Sequence, residues 1–455
     1  MTAKRFHLVA LGCPKARVEA EATLAALLAR GARPVDDPAR ADVVVVHTCA
    51  FVEDARRETI DTLLELAAVR RRGRRLPRLV AAGCLPQRYG AALFELLPEL
   101  DALVGCNDLI RVADAALGTA RLLLSPRPDR RELRPQPSVA SQLRHTRYLK
   151  LAEGCSRRCA FCAIPAIRGP ARSRPVATLL EEARRLLDDG AVELVLVAQD
   201  VSRYGADRAG DRAGPPLLRL LERLARLDGL RWLRLLYLYP DTLDADFLRG
   251  LRELPAVLPY FDLPLQHVTD RMLRRMRRGT RRRTIDALLD RIRTLFPEPT
   301  LRTSLIVGHP GETEADFREL RRFVREAGFD RLGLFRYSDE EGTAAFDDPD
   351  HVPAGVAWRR FRTLRAETRR AMHARQARLR GRVVEVLVDG PAPESPLLRV
   401  GRTAAQAPEI DGLTYLVGGL PPAGRLVAAR ITRTSDSDLV ADLRLPPPPP
   451  PPPGG

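Results

Sequence analysis

Cys155, Cys159 and Cys162 stand as C-x3-C-x2-C in Glu-Gly-Cys-Ser-Arg-Arg-Cys-Ala-Phe-Cys, three thiols on one short loop with no fourth ligand beside them. Thiolates hold iron–sulfur clusters, and a four-iron cluster given three protein ligands keeps one iron at which a small molecule can bind and accept an electron. The competing reading is zinc, which closes a tetrahedron from paired C-x2-4-C or H-x3-5-H spacings; the chain offers no second pair of either kind. Cys13, Cys49 and Cys84 form another set, in Leu-Gly-Cys-Pro-Lys, His-Thr-Cys-Ala-Phe and Ala-Gly-Cys-Leu-Pro, each closing an apolar run. At the carboxyl ends of adjacent parallel strands such groups converge on one crevice, which makes a second metal site. One buried cysteine is usually a small hydrophobe, but three in equivalent positions are not explained that way. Cys106, in Val-Gly-Cys-Asn-Asp, ends the fourth run; it reads as a fourth ligand or, preferably, as an ordinary strand-end cysteine, because a reactive site needs an open iron.

The elements that must position these groups form an α/β multidomain chain. Over residues 1–120, strand-like runs Phe6–Leu11, Val43–Val46, Leu79–Ala82 and Ala102–Val104 alternate with amphipathic stretches such as Val18–Arg30 and Ala55–Arg70, giving a small doubly wound parallel sheet. Residues 121–145, rich in Arg and Pro, read as a linker. Over 146–375 the candidate strands are Tyr148–Ala152, Leu194–Ala198, Trp232–Leu236, Tyr260–Leu263, Thr303–Val307 and Arg331–Phe335, with helices such as Ala177–Asp189 and Phe317–Ala327 between them. They predict an open, partial β/α barrel working at the carboxyl ends of its strands, and the three-cysteine loop follows the first of them. Residues 381–445 turn to short strands, Gly381–Val388, Leu413–Val417 and Leu426–Thr432, a small OB-like barrel, and 446–455 are a polyproline tail expected to be disordered.

At 455 residues the chain has room for about three domains. Its seven cysteines all precede residue 163, an odd and scattered set that suits a reducing cytoplasm rather than a disulfide framework. No apolar run approaches a membrane span or signal peptide. The net charge of +17 invites a nucleic-acid or ribosome partner, or reflects arginine spread over solvated helix faces such as Ala68–Arg75 and Arg359–Arg382.

Glu153 to Arg174 as a whole, with Cys-Ala-Ile-Pro and Arg-Gly after the cysteines, resembles a radical S-adenosylmethionine enzyme. With both cysteine sets, the chain to about residue 445 resembles the methylthiotransferases, which join an N-terminal cluster domain, a radical S-adenosylmethionine barrel and a TRAM domain. Within them Leu11–Lys15, Cys162–Pro165, Ala198–Asp200, Pro264–His267, Tyr337–Thr343 and, most discriminating, Ala407–Gly412 in the TRAM segment are similar to the type that modifies an aspartate of small-subunit ribosomal protein S-twelve. Two departures stand out: Ala16 where asparagine is usual, and His309 where phenylalanine is usual. The resemblance implies two 4Fe-4S clusters, on Cys13/Cys49/Cys84 and on Cys155/Cys159/Cys162. The second cluster would bind S-adenosylmethionine and release a 5′-deoxyadenosyl radical that takes hydrogen from the aspartate β-carbon. The first would present the methylated sulfur, and an electron donor and a sulfur donor, both unidentified, are needed as partners.

Phe161, Gln199, Asp200 and Gly308 fall where the barrel would contact the cofactor, with turn chemistry as the alternative for the last three. His267 and His309 read as structural histidines, and Arg168, Arg172 and Arg174 as guards of the cofactor pocket or as solvated loop charges. The substrate protein is expected to meet the TRAM domain. Residues 381–445 carry seven Arg against eight acids, while the remainder holds 68 basic and 50 acidic residues, the reverse of a tRNA-gripping barrel. The rivals are a methylthiotransferase acting on isopentenylated tRNA adenosine and a cluster-carrying ribosome or RNA binder without turnover.

Overall fold

The computed structural model describes residues 3–72, 77–126, 139–140, 143–208 and 215–444; the expected tail 446–455 and residues 127–138 and 141–142 of the expected linker lie outside them. Strands β1 (Arg5–Ala10), β2 (Arg33–Pro34), β3 (Val43–Thr48), β4 (Arg78–Gly83), β5 (Ala102–Gly105) and β6 (Leu122–Leu123) form a parallel sheet in the order β2-β1-β3-β4-β5-β6. The valine run of β3 is buried at every position because both faces are covered. Val43 and Val45 pack with Phe6, Leu27, Val80 and Val112; Val44 and Val46 turn to Leu63, Ala67, Leu79 and Leu103. That period-two division between two cores is what helices on both faces impose on a central strand. The strand order reverses between β1 and β3, so the crevice of the sheet opens beside the residues that follow them.

The central domain places β7 (Thr146–Lys150), then the short pair β8 (Ala152–Glu153) and β9 (Arg172–Ser173), then β10 (Glu193–Val197), β11 (Trp232–Leu235), β12 (Tyr260–Asp262), β13 (Thr300–Val307) and β14 (Arg331–Arg336). Parallel pairing gives two three-stranded sheets, β11-β10-β7 and β12-β13-β14. The Leu258 N–H donates to Leu233 O at 3.0 Å and the Leu238 N–H to Asp262 O at 2.8 Å, which joins them into one arc. The arc stays open between β7 and β14, as expected of a partial barrel. Its outward residues, among them Leu149, Leu194, Leu196 and Leu305, pack on the surrounding helices.

The C-terminal strands β15 (Val383–Ala392), β16 (Ser395–Thr403), β17 (Thr414–Val417), β18 (Leu426–Thr434) and β19 (Leu439–Asp442) close a barrel in the order β15-β16-β17-β19-β18. This barrel plugs the central one. Leu387 and Ala407, with Val18 from the N-terminal domain, cover the inward residues Tyr148, Val195, Val197, Trp232 and Tyr260. Polar bonds fix the plug: Tyr260 Oη donates to Asp411 Oδ2 at 2.7 Å, and Arg402, 1% exposed, reaches Glu193 Oε2 at 2.7 Å and Thr146 Oγ1 at 2.8 Å. Ala407–Gly412 therefore anchors one domain in another. It also corrects the charge argument, because the acids of residues 381–445 do not all face outward. Glu409 pairs with Arg17 at 2.8 Å, Asp436 with Arg369 at 2.6 Å, and Asp389 with the buried Arg402 at 2.8 Å. The net charge of the segment is not the charge of its free face. Among the described residues, no helix is long and apolar enough to cross a membrane.

Candidate active site

The cysteine loop leaves β8 through Gly154, whose φ of +78° and whose approach to the Pro170 and Gly169 carbonyls leave no room for a Cβ. The Cys155 N–H donates to Gly169 O at 3.0 Å and the Cys162 N–H to Cys159 O at 3.2 Å, folding the three thiols onto one turn. Polar side chains brace that turn. Arg157 pairs with Asp200 at 2.8 Å and with Asp241 at 2.6 Å, and lies 3.5 Å from the centroid of the Tyr239 ring. Arg278 covers the ring at 3.8 Å and donates to Cys159 Sγ at 3.4 Å and to Pro264 O. Tyr239 is thus held between two guanidinium groups, with its hydroxyl 4.0 Å from Cys159 Sγ. Burial pushes the Cys162 thiol up to about 12 and raises Cys155, as expected of thiols that ionise only when a metal takes the proton's place.

Cys13, Cys49 and Cys84 follow β1, β3 and β4, at the reversal of strand order. A Cβ on Gly12 would stand 3.0 Å from Cys49 Cβ, which measures how closely the first two loops approach. Burial raises Cys49 to about 11. Cys84 goes the other way, down to about 6: the Cys106 thiol donates to its Sγ at 3.8 Å, and Arg168 donates at 3.4 Å from Nε and 3.2 Å from Nη2. Cys106 is raised in return and lies buried beside the set. Among the described residues no three His, Cys, Asp or Glu side chains form a group that could hold a single metal ion. Each set offers three thiols, the donor type that a larger sulfide-bridged cluster takes.

Arg168 is not the solvated loop charge that one of its two sequence readings allowed. It is 3% exposed and joins the two sites, reaching Glu19 Oε1 at 2.7 Å, Glu153 Oε1 at 2.8 Å and Cys84. Lys150 bridges the same two carboxylates, at 3.2 and 2.9 Å. Burial alone would raise Glu153, but Arg168 and Lys150 hold it well below the usual carboxylate range. Arg174 is likewise buried, in an ion pair with Glu182 at 2.5 Å, and Arg172 lies in β9 opposite Glu153.

The remaining candidates divide. Gln199 donates to Glu153 Oε1 at 3.1 Å, while its own Oε1 is buried with no hydrogen-bond partner among the described residues. Asp200 is taken up by Arg157 and by Ser202 at 2.5 Å, so it braces the cysteine loop. Phe161 joins Met272, Met276, Ile306 and Tyr337 in an apolar wall. Gly308 has φ +78°, packs so that a Cβ would meet Ala357 Cβ at 2.6 Å, and donates its N–H to Glu312 Oε2 at 2.8 Å. His267 accepts from the Val268 N–H at 2.9 Å and lies 3.4 Å from Glu312, a structural role as expected. Sequence reasoning missed Tyr237, Tyr239 and Arg278. The Leu-Tyr-Leu-Tyr-Pro run closing a barrel strand was the available signal for the two tyrosines.

Residues 149–324 match the Radical SAM superfamily, residues 5–105 the Uncharacterized protein family UPF0004, and residues 381–443 the TRAM domain. Fold and site together define a radical S-adenosylmethionine enzyme with an added cysteine-bearing sheet and a TRAM barrel. The ribosomal protein uS12 methylthiotransferase RimO of Sorangium cellulosum is 43% identical over 447 residues, 97% of this chain and 91% of the relative. Its counterpart in Anaeromyxobacter sp. (strain K) is 46% identical over 441 residues, 96% and 93% of the two. The chain belongs to this RimO family of methylthiotransferases. Its cofactors are accordingly S-adenosylmethionine and [4Fe-4S] clusters. Among solved structures, the radical S-adenosylmethionine methyltransferase TsrM from Kitasatospora setae superposes with a TM-score of 0.54 at 15% identity, over 76% of this chain and 77% of TsrM, a likeness of fold.

Proposed function

We propose that the chain adds a methylthio group to the β-carbon of an aspartate in ribosomal protein uS12. In this reading Cys155, Cys159 and Cys162 hold the cluster that binds S-adenosylmethionine, and Cys13, Cys49 and Cys84 hold the other. The observation that carries the reading is the meeting of both thiol sets around one segment: Tyr239 lies against Cys159, and Tyr237, two residues before it, lies beneath Lys15 of the Cys13 loop. When bound, the cofactors supply a radical able to take hydrogen from an unactivated carbon and a sulfur to replace that hydrogen.

The chain's own residues supply placement. Arg157, Tyr239 and Arg278 fix the thiol loop, and Gln199 Oε1 offers an acceptor beside it. Phe161, Met272, Met276, Ile306 and Tyr337 exclude water from one side of the mouth. On the TRAM barrel, Leu397, 77% exposed, and Leu420, 53% exposed, are the apolar side chains offered to the ribosomal protein in this reading.

The test is mass spectrometry of uS12 and of bulk tRNA after anaerobic incubation with reconstituted enzyme, reductant, sulfide and S-adenosylmethionine. One methylthio group on a uS12 aspartate is expected. Methylthio-adenosine in tRNA with unmodified uS12 overturns the reading. Cys155→Ala should abolish 5′-deoxyadenosine formation and lower iron content by one cluster.

A further inference from the structure

Lys15 lies two residues beyond Cys13 and is only 8% exposed, and among the described residues its ammonium makes no salt bridge. The neighbouring acids are already committed: Glu19 and Glu153 are shared between Arg168 and Lys150. What the ammonium touches is a π face, the Tyr237 ring, 3.9 Å from Nζ to centroid. Tyr237 in turn adopts a left-handed backbone, φ +59°, which non-glycine residues rarely do. Its N–H donates to Asp262 Oδ2 at 2.9 Å and its carbonyl accepts from the Val201 N–H at 3.1 Å, so the surroundings impose that conformation. The negative groups that act on this ammonium are Cys13 of its own loop and Glu153, and neither forms a salt bridge with it among the described residues.

Its position says which further anion it can receive. Lys15 belongs to the loop of one thiol set, and the segment beneath it runs within two residues to Tyr239, against Cys159 of the other. A carbon that loses hydrogen at one site and gains sulfur from the other must come to rest between them. In aspartate that carbon is bonded directly to the carboxylate, so an ammonium at this point can hold the acid and turn its β-carbon toward both sites. An adenosine has no anion to offer here. Resting on the uS12 reading, we propose that Lys15 binds the side-chain carboxylate of the substrate aspartate and thereby selects an acidic side chain over an uncharged base.

The experiment uses full-length, cluster-loaded enzyme as wild type, Lys15→Gln and Lys15→Arg. Each is titrated anaerobically with uS12 and with uS12 carrying asparagine at the modified position, and S-adenosylmethionine affinity and iron content are measured alongside. Wild type is expected to prefer the aspartate form by about 30-fold, the order of one charge-assisted hydrogen bond. Lys15→Gln should bind both forms equally weakly and Lys15→Arg should keep part of the preference, with iron and S-adenosylmethionine binding unchanged in both. Preference retained in Lys15→Gln overturns the proposal, as does a wild type that binds both forms equally. Loss of iron or of S-adenosylmethionine affinity in the variants overturns it too, assigning the ammonium to the cluster or to the cofactor's own carboxylate. A wild type that binds neither form of uS12 fails the uS12 reading instead, before any variant is compared.

Discussion

His309 sits among rings, edge-on to Phe161 at 6.3 Å and to Tyr337 at 5.2 Å, with 1% of its surface exposed and no hydrogen-bond partner for its Nε2 among the described residues. Burial lowers its pKa to about 4, so the imidazole is kept neutral and fills the place of the phenyl ring usual at this point. Below pH 6.5 the unfolded chain takes up a proton that the folded chain refuses until about pH 4. Stability from this site is therefore full above 6.5 and falls as pH drops through that window, by up to about 3 kcal/mol. His309→Phe should flatten this part of the acid limb without loss of stability at pH 7, as read by urea unfolding at pH 7, 6 and 5. At Arg168 the opposite holds, because its charge is the shared partner of two buried carboxylates and a thiol. Arg168→Met removes one of the two cations that Glu19 and Glu153 share, a loss of roughly 3–5 kcal/mol by the measure of broken buried pairs, visible in denaturant midpoints.

Among the elements, the helix Glu314–Glu326 shows how local chemistry sets the site. Thr313 and Asp316 form a reciprocal capping box at its start, immediately after the Gly308–Glu312 turn, and Arg271 pairs with the same Asp316. Thr313→Ala should cost about 1 kcal/mol in thermal unfolding. Elements buried on both faces were legible from sequence: β3 and β10 contain the unbroken apolar runs 43–46 and 194–197 because helices or another domain cover each side. β16 was not, since Pro396, Arg399, Gly401 and Arg402 interrupt its apolar pattern, and the Arg402 side chain is buried between Asp389 of the neighbouring strand β15 and Glu193 across a domain boundary. The same cause hid the roles of Arg168 and of Ala407–Gly412. Motif spacing located the cysteine loops, but Glu19, a partner of Arg168, and Tyr260, the partner of Asp411, lie more than a hundred positions away, where no local pattern reaches.

Across the whole molecule, the three domains are interlocked by charge. Glu340, 1% exposed, accepts from Arg56 at 2.7 Å and Arg88 at 2.5 Å, clamping the N-terminal sheet to the segment after β14. Glu340→Gln should speed amide exchange in the helix Glu53–Arg72 more than in the helix Glu314–Glu326, as hydrogen-exchange mass spectrometry would show. Added salt should change this little in the wild type, because the carboxylate is screened by protein rather than by ions. The Arg168 link also imposes a schedule on biosynthesis. Cys13, Cys49 and Cys84 leave the ribosome first, and the guanidinium that steadies Cys84 is not yet polymerised. The nascent N-terminal sheet can therefore fold early but stays without part of its electrostatic support until the barrel's opening loop arrives. The chain thus carries its own order of maturation, with the earlier-made thiols completed by a later-made residue.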